Sequence, residues 1–190
     1  MLSNRPLASA GLIDEVIISY NISRLSDDKN DSEITFAFDD TKFDPKMLVT
    51  FDNVATNAFW EGAMDAVTAD KGLVLTGRSA MLTTSTTLIV AASVDAAAIH
   101  AVIRGTQSDR NGGFVIPCDT TTSVTVLSFG GAPFAIDPSD LHNNIGMNCV
   151  SGISSGHIVD DSWTAGHVFL KNAYFSTDIT KNTISIAQPV

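Results

Sequence analysis

Short β-prone runs broken by turn residues dominate this chain, and they constrain its fold more than any other feature. Val16-Ile17-Ile18-Ser19-Tyr20-Asn21-Ile22 is rich in branched side chains, and the polar stretch Ser26 to Asp31 closes it. Glu33 to Phe38 largely alternates polar and apolar residues, as a half-buried strand does. Met47 to Phe51, Leu73 to Leu75 and the run Thr86 to Val90 read as further strands. Asn111-Gly112-Gly113 and Gly130-Gly131 are hairpin-type turns between apolar runs. Lys181-Asn182 joins two closing strands, Tyr174 to Asp178 and Thr183 to Ala187. Helical pattern is confined to Pro6 to Ala10, to single turns at Pro138 to Leu141 and Val168 to Asn172, and to the Ala-rich stretch Val94 to Ile103. Ser93 is placed there to cap the last of these, with Asp95 in its first turn. A mostly-β fold in one domain, residues 1–190, follows.

Size and charge then narrow the function. A chain of 190 residues buries about 70% of the surface that it exposes when unfolded, so it needs no metal or disulfide staple. With 44% apolar and 17% charged residues the composition is that of a globular domain. The formal net charge of −10 repels phosphate backbones, and no basic run offsets it, so nucleic acid is excluded as a partner of the charge. No apolar stretch is long enough to span a membrane, which removes a membrane partner. Met1 to Pro6 is not followed by the apolar core of a signal peptide. Two sequons, Asn21-Ile22-Ser23 and Asn30-Asp31-Ser32, agree with secretion, and Cys118 and Cys149 are compatible with one disulfide in an oxidising compartment.

The segment Trp163-Thr164-Ala165-Gly166-His167-Val168-Phe169-Leu170-Lys171-Asn172-Ala173-Tyr174 resembles a signature of the pepsin-like aspartic proteases, most closely of fungal secreted members. Gly11 to Glu15 and the closing segments Phe175 to Asp178 and Ile184 to Gln188 are similar to that family as well. The resemblance covers nearly the whole chain but only the family's C-terminal lobe. It implies a single closed, barrel-like β lobe with a few short helices and no cofactor. It also implies a Cys118–Cys149 disulfide and secretion.

At the family's catalytic loop the sequence departs from the pattern. The family reads approximately Val-Asp-Thr-Gly-Thr-Thr-Leu, and this chain reads Leu82-Thr83-Thr84-Ser85-Thr86-Thr87-Leu88. Thr83 stands for the Asp and Ser85 for the Gly. His167 replaces the Asp of a Gly-Asp pair beside Gly166, and Ala37-Phe38 sits where two glycines are usual. The family's chemistry needs two carboxylates about 3 Å apart sharing one proton, and a threonine hydroxyl cannot carry that anion. Several coordinated departures point to a natural pseudoenzyme that binds a protein or peptide ligand. The alternative is an endopeptidase fragment active only with a separate N-terminal lobe. A lone lobe is also expected to expose the Ile17-Ile18 run and the Ile184 to Val190 segment as open strand edges, which a homodimer, or the N-terminal lobe, would cover.

Other motifs carry less. Gly152-Ile153-Ser154-Ser155-Gly156 fits G-x-S-x-G, but a nucleophile elbow needs a helix behind it and none is expected. His100, His142, His157 and His167 lack metal-ligand spacing, and His157 with Asp160 and Asp161 is the best remaining cluster. No metal is expected. The pairs Asp27-Asp28 and Asp39-Asp40 read as solvated turns.

Overall fold

The computed structural model describes residues 5–70, 72–120, 125–145, 148–156 and 162–190. In chain order, helix α1 (Arg5–Ser9) leads into β1 (Ile17–Asn21), β2 (Glu33–Thr35) and β3 (Val49–Asp52). Next come β4 (Glu61–Met64), β5 (Ala66–Ala69), β6 (Gly72–Leu75), β7 (Arg78–Leu82) and β8 (Ile89–Ala91), then helix α2 (Ser93–Ala101). After it follow β9 (Gln107–Ser108), β10 (Phe114–Ile116), β11 (Thr125–Phe129), β12 (Ala132–Ala135), β13 (His142–Ile145) and β14 (Asn148–Ser151). The chain closes with β15 (Ile153–Ser155), β16 (Ser162–Ala165), α3 (His167–Leu170), β17 (Tyr174–Asp178) and β18 (Thr183–Ala187).

The mostly-β expectation holds, but among the described residues the strands form four open sheets rather than a closed barrel. Their orders are β2-β1-β17-β18-β3, β13-β14-β10-β9, β12-β11-β5-β6 and β15-β8-β16-β7-β4. In the last sheet β16 runs parallel to β7 and antiparallel to β8. That arrangement sends the β7–β8 connection, residues 83–88, across the end of β16. The candidate site is built there.

The core joins faces of these sheets around fully buried side chains such as Trp163, Leu127, Val67 and Ile89. Phe129 lies at its aromatic centre, with ring centroids 5.6 Å from Phe51, 6.5 Å from Phe134 and 5.6 Å from Phe169. Such pairs add about 0.5–1.5 kcal/mol each beyond their buried area. Helix α2 is tied to this core by a buried carboxylate. Asp95 accepts from Arg78 Nε at 2.6 Å and Nη2 at 3.0 Å, and its Oδ2 also accepts from the Trp163 indole at 3.0 Å. Cys118 and Cys149 are joined in a disulfide, as the resemblance implied, beside a small cluster containing Ile103 and Ile116.

Several local expectations need correction. Ser93 is the first residue of α2 rather than its cap; Ala92 holds the cap position and makes no side-chain cap bond. The strand expected at Thr86 to Val90 is Ile89–Ala91 only, because the Thr86 and Thr87 carbonyls accept from His167 N and Val168 N instead of from a neighbouring strand. The Glu33 to Phe38 strand stops at Thr35; beyond it the Ala37 carbonyl accepts from Ser19 Oγ at 2.7 Å and from Thr35 Oγ1 at 2.9 Å. The Ile17-Ile18 and Ile184 to Ala187 runs are not open edges. β1 lies between β2 and β17, and β18 lies between β17 and β3, so the sheet's edges belong to β2 and β3.

Candidate functional site

The loop after β7 is pinned from both sides. Leu82 N donates to Trp60 O at 2.8 Å, and Thr83 N donates to Ala165 O at 3.2 Å. Behind it, Gly166 N reaches Leu88 O at 3.2 Å, while His167 N and Val168 N reach Thr86 O and Thr87 O at 2.9 Å each. Gly166 is there because nothing larger fits. A Cβ at that position would lie 2.1 Å from Thr86 O and 2.6 Å from Leu88 O. The half-buried His167 adds a side-chain clamp: its Nε2 faces the Thr84 carbonyl at 2.9 Å, and nitrogen facing a carbonyl oxygen donates its proton. Trp163 lies three residues before Gly166, fully buried on β16 and bonded to Asp95.

At the front of the loop are hydroxyls. Thr83 Oγ1 and Ser85 Oγ are 2.8 Å apart, and Ser85 N donates to Thr83 Oγ1 at 3.2 Å. Thr83 is half-buried, whereas Thr84 and Ser85 are exposed. Thr86 completes the segment. Thr83, Thr84 and Ser85 form one wall of a cavity of about 360 Å³, whose other walls include Ile18, Tyr20, Phe59, Trp60 and Phe175. Among the described residues, no Asp or Glu lines it. Tyr20 stacks on Phe175 at 5.2 Å between centroids, and burial raises the Tyr20 phenol above its ordinary pKa. The chamber is therefore apolar and aromatic, with a polar hydroxyl pair on one side. A second hollow of about 350 Å³ shares Tyr20 and Thr84 with the first and brings in Glu33 and His167.

The structure thus brings Thr83, Thr84, Ser85 and Thr86 together with Gly166 and His167, while Trp163 supports them from within the core. It separates the other candidates. Ser154 of the G-x-S-x-G segment lies in β15, paired in parallel with β8, so the strand–turn–helix of an elbow is not formed. His100 is buried on α2, stacked 3.8 Å from Phe114, with Nδ1 donating to Ala96 O and Nε2 accepting from Ser151 Oγ at 2.8 Å. Burial lowers its pKa despite the Ala96 contact. His157, Asp160 and Asp161 lie outside the described residues, as does the His142 side chain. No cluster of three metal-ligating side chains occurs among the described residues.

Sequence reasoning missed the aromatic walls. Tyr20, Phe59, Trp60 and Phe175 come from β1, the segment before β4, and β17, and only the sheet pairing brings them together. The one local sign was the adjacent Phe59-Trp60 pair in a polar stretch.

Known proteins bear on this arrangement. A family profile described as eukaryotic aspartyl protease matches residues 1–189. The chain is 35% identical over 184 residues to a probable aspartic-type endopeptidase CTSD of Arthroderma benhamiae, covering 93% of this chain and 35% of that protein. It is 30% identical over 185 residues to the aspartic-type endopeptidase ctsD of Aspergillus fumigatus, covering 95% and 39%. It is 27% identical over 188 residues to human cathepsin D, covering 93% and 45%. The chain therefore spans between a third and a half of the length of these relatives. Among the described residues no helix is long and apolar enough to cross a membrane. With the profile running over nearly every residue and the Gly166 clamp holding the loop at Thr83, the chain belongs to the eukaryotic aspartyl protease family.

Proposed function

We propose that this chain is a non-catalytic aspartic-protease-like lobe that binds an apolar peptide segment in the cavity before Thr83 and Ser85. The observation that carries the reading is the composition of that cavity: an aromatic chamber faced by a hydroxyl pair, with no carboxylate among the described residues that line it. Peptide hydrolysis by this family's chemistry polarises water between two carboxylates, and hydroxyls cannot supply the base. Binding needs less. A partly enclosed apolar pocket with a few polar groups is the usual form of a ligand site. The Thr83 and Ser85 hydroxyls can donate to and accept from a peptide backbone.

The test uses the emission of Trp60, since the other tryptophan, Trp163, is fully buried and reports the core. Titration with octapeptides rich in Phe and Leu should shift the emission saturably, and Ser85→Arg, which fills the cavity mouth, should abolish the shift. Identical titrations of wild type and variant would reject binding at this cavity.

A second reading rests on chain coverage. Relatives named aspartic endopeptidases are more than twice as long as the matched segment. One lobe could serve in a two-part endopeptidase whose other part supplies an Asp. Even then this lobe contributes hydroxyls, and the dyad stays half empty. Secretion, and a homodimer formed through the exposed β2 edge that leaves the cavity open, are part of the same proposed reading.

A further inference from the structure

The two sequons noted above are not equivalent in the folded chain. Asn21 sits on β1, half-buried and paired with Glu33 of β2, and its side-chain nitrogen is within 3.5 Å of Asp31 O. Asn30 lies in the exposed loop between the 3-10 turn Leu25–Asp27 and β2. It adopts a left-handed φ of 46°, a conformation in which Asn is enriched, and no other described residue hydrogen-bonds its side chain. The hydroxyls of the two sequons meet, Ser23 Oγ to Ser32 Oγ at 2.8 Å, and Ser23 N donates to Ser32 Oγ at 3.0 Å. This fastens the loop base and leaves its tip free. Beside the tip is a polar hollow of about 290 Å³, lined by Ser23, Arg24, Asp28, Asn30 and Ser32. Arg24 is fixed there by Asp140 at 2.6 Å and by Asn172. Hydroxyl, guanidinium and carboxylate groups of this lining are of the kinds that hydrogen-bond a sugar. The Cys118–Cys149 disulfide independently marks a chain suited to an oxidising compartment, where such modification takes place.

We propose that Asn30 carries an N-linked oligosaccharide and that Asn21 does not. In the transfer, Asn30 Nδ2 attacks the anomeric carbon of an oligosaccharide linked to a lipid diphosphate. The N–C bond forms as the C–O bond to phosphate breaks, the lipid diphosphate leaves with the electron pair, and the amide nitrogen releases a proton. A glycan on Asn21 would instead have to push aside the Asp31 loop and the β1–β2 edge.

The full chain is passed through the secretory pathway of a yeast and treated with peptide N-glycosidase in ¹⁸O-labelled water, which converts a glycan-bearing Asn to labelled Asp. Peptide mass spectrometry then reads both positions. Label at Asn30 in most molecules and none at Asn21 is expected. Asn30→Gln and Ser32→Ala should each collapse the protein to its unmodified gel mobility, while Asn21→Gln leaves mobility unchanged. If the chain is retained in the cell, the microsomal fraction is read in the same way, because sugar transfer precedes export. Label at Asn21, or none at Asn30, overturns the proposal.

Discussion

Replacing Asp95 by Asn tests whether the buried link between α2, β7 and β16 holds the scaffold of the site. Asp95 is 4% exposed and receives three hydrogen bonds, two from Arg78 and one from Trp163. Asparagine preserves the volume but offers one acceptor oxygen, so its amide group must face one of the Arg78 donors. Hydrogen bonds to charged groups contribute about 1.5–3 kcal/mol each. The Arg78 side chain is 26% exposed, and water there recovers part of its loss. The expected cost is about 2–3 kcal/mol, which lowers the urea midpoint by about 1 M for an m-value near 2 kcal/mol/M. The pH dependence supplies a second mark. The Arg78 hydrogen bond, aided by Trp163 and opposed by burial, holds the Asp95 carboxyl below its ordinary 3.8. Because the folded value is the lower one, its stabilisation is complete above about pH 5 and is lost as pH falls through the folded value. Urea unfolding followed by circular dichroism should thus show a constant gap between wild type and Asp95→Asn from pH 5 to 7, closing in stronger acid. A variant within about 0.5 kcal/mol of wild type, or a gap that persists unchanged in acid, would refute the reasoning.

Further outcomes are expected elsewhere. Gly166→Ala should cost more than about 3 kcal/mol or prevent folding, since its Cβ meets two backbone carbonyls, whereas Gly72→Ala, with 3.6 Å to Ala69 O, should be near neutral in the same urea assay. Reducing the Cys118–Cys149 bond should lower stability by about 3–4 kcal/mol on the chain-entropy account, with thiol titration finding no free thiol before reduction. Light scattering at micromolar concentration should give twice the 20.1 kDa chain mass, because Ile34 and Phe36 stand 58% and 46% exposed beside the β2 edge; a 20.1 kDa species rejects the homodimer.

What was legible in the sequence was local. The β17–β18 hairpin was readable in full because Lys181-Asn182 links two β-prone runs, and Asn182 takes the left-handed φ of 55° that such a turn needs. The loop at Thr83 and the Gly166–His167 motif were readable through family resemblance, and the structure places them against each other. Long-range pairing was not legible. Glu61–Met64, Ala66–Ala69 and Arg78–Leu82 contain Gly, Ala and Met with few branched residues, and become strands because their neighbours complete the ladder. Thr86 and Thr87 mislead in the opposite sense, since their carbonyls serve α3. The aromatic chamber gathers residues from strands more than 150 positions apart, such as Tyr20 and Phe175, and no periodicity encodes that meeting.

In the proposed reading, the hydroxyl pair at Thr83 and Ser85 stands where hydrolysis would need a carboxylate. The direct measurement is cleavage of a mixed peptide library by the purified chain from pH 3 to 6, read by mass spectrometry with and without a pepstatin-type inhibitor. Thr83→Asp combined with Ser85→Gly is run alongside. Folded protein and no inhibitor-sensitive turnover are expected in either case, because one restored Asp still lacks its partner. Inhibitor-sensitive cleavage by the wild-type chain would contradict the non-catalytic reading outright.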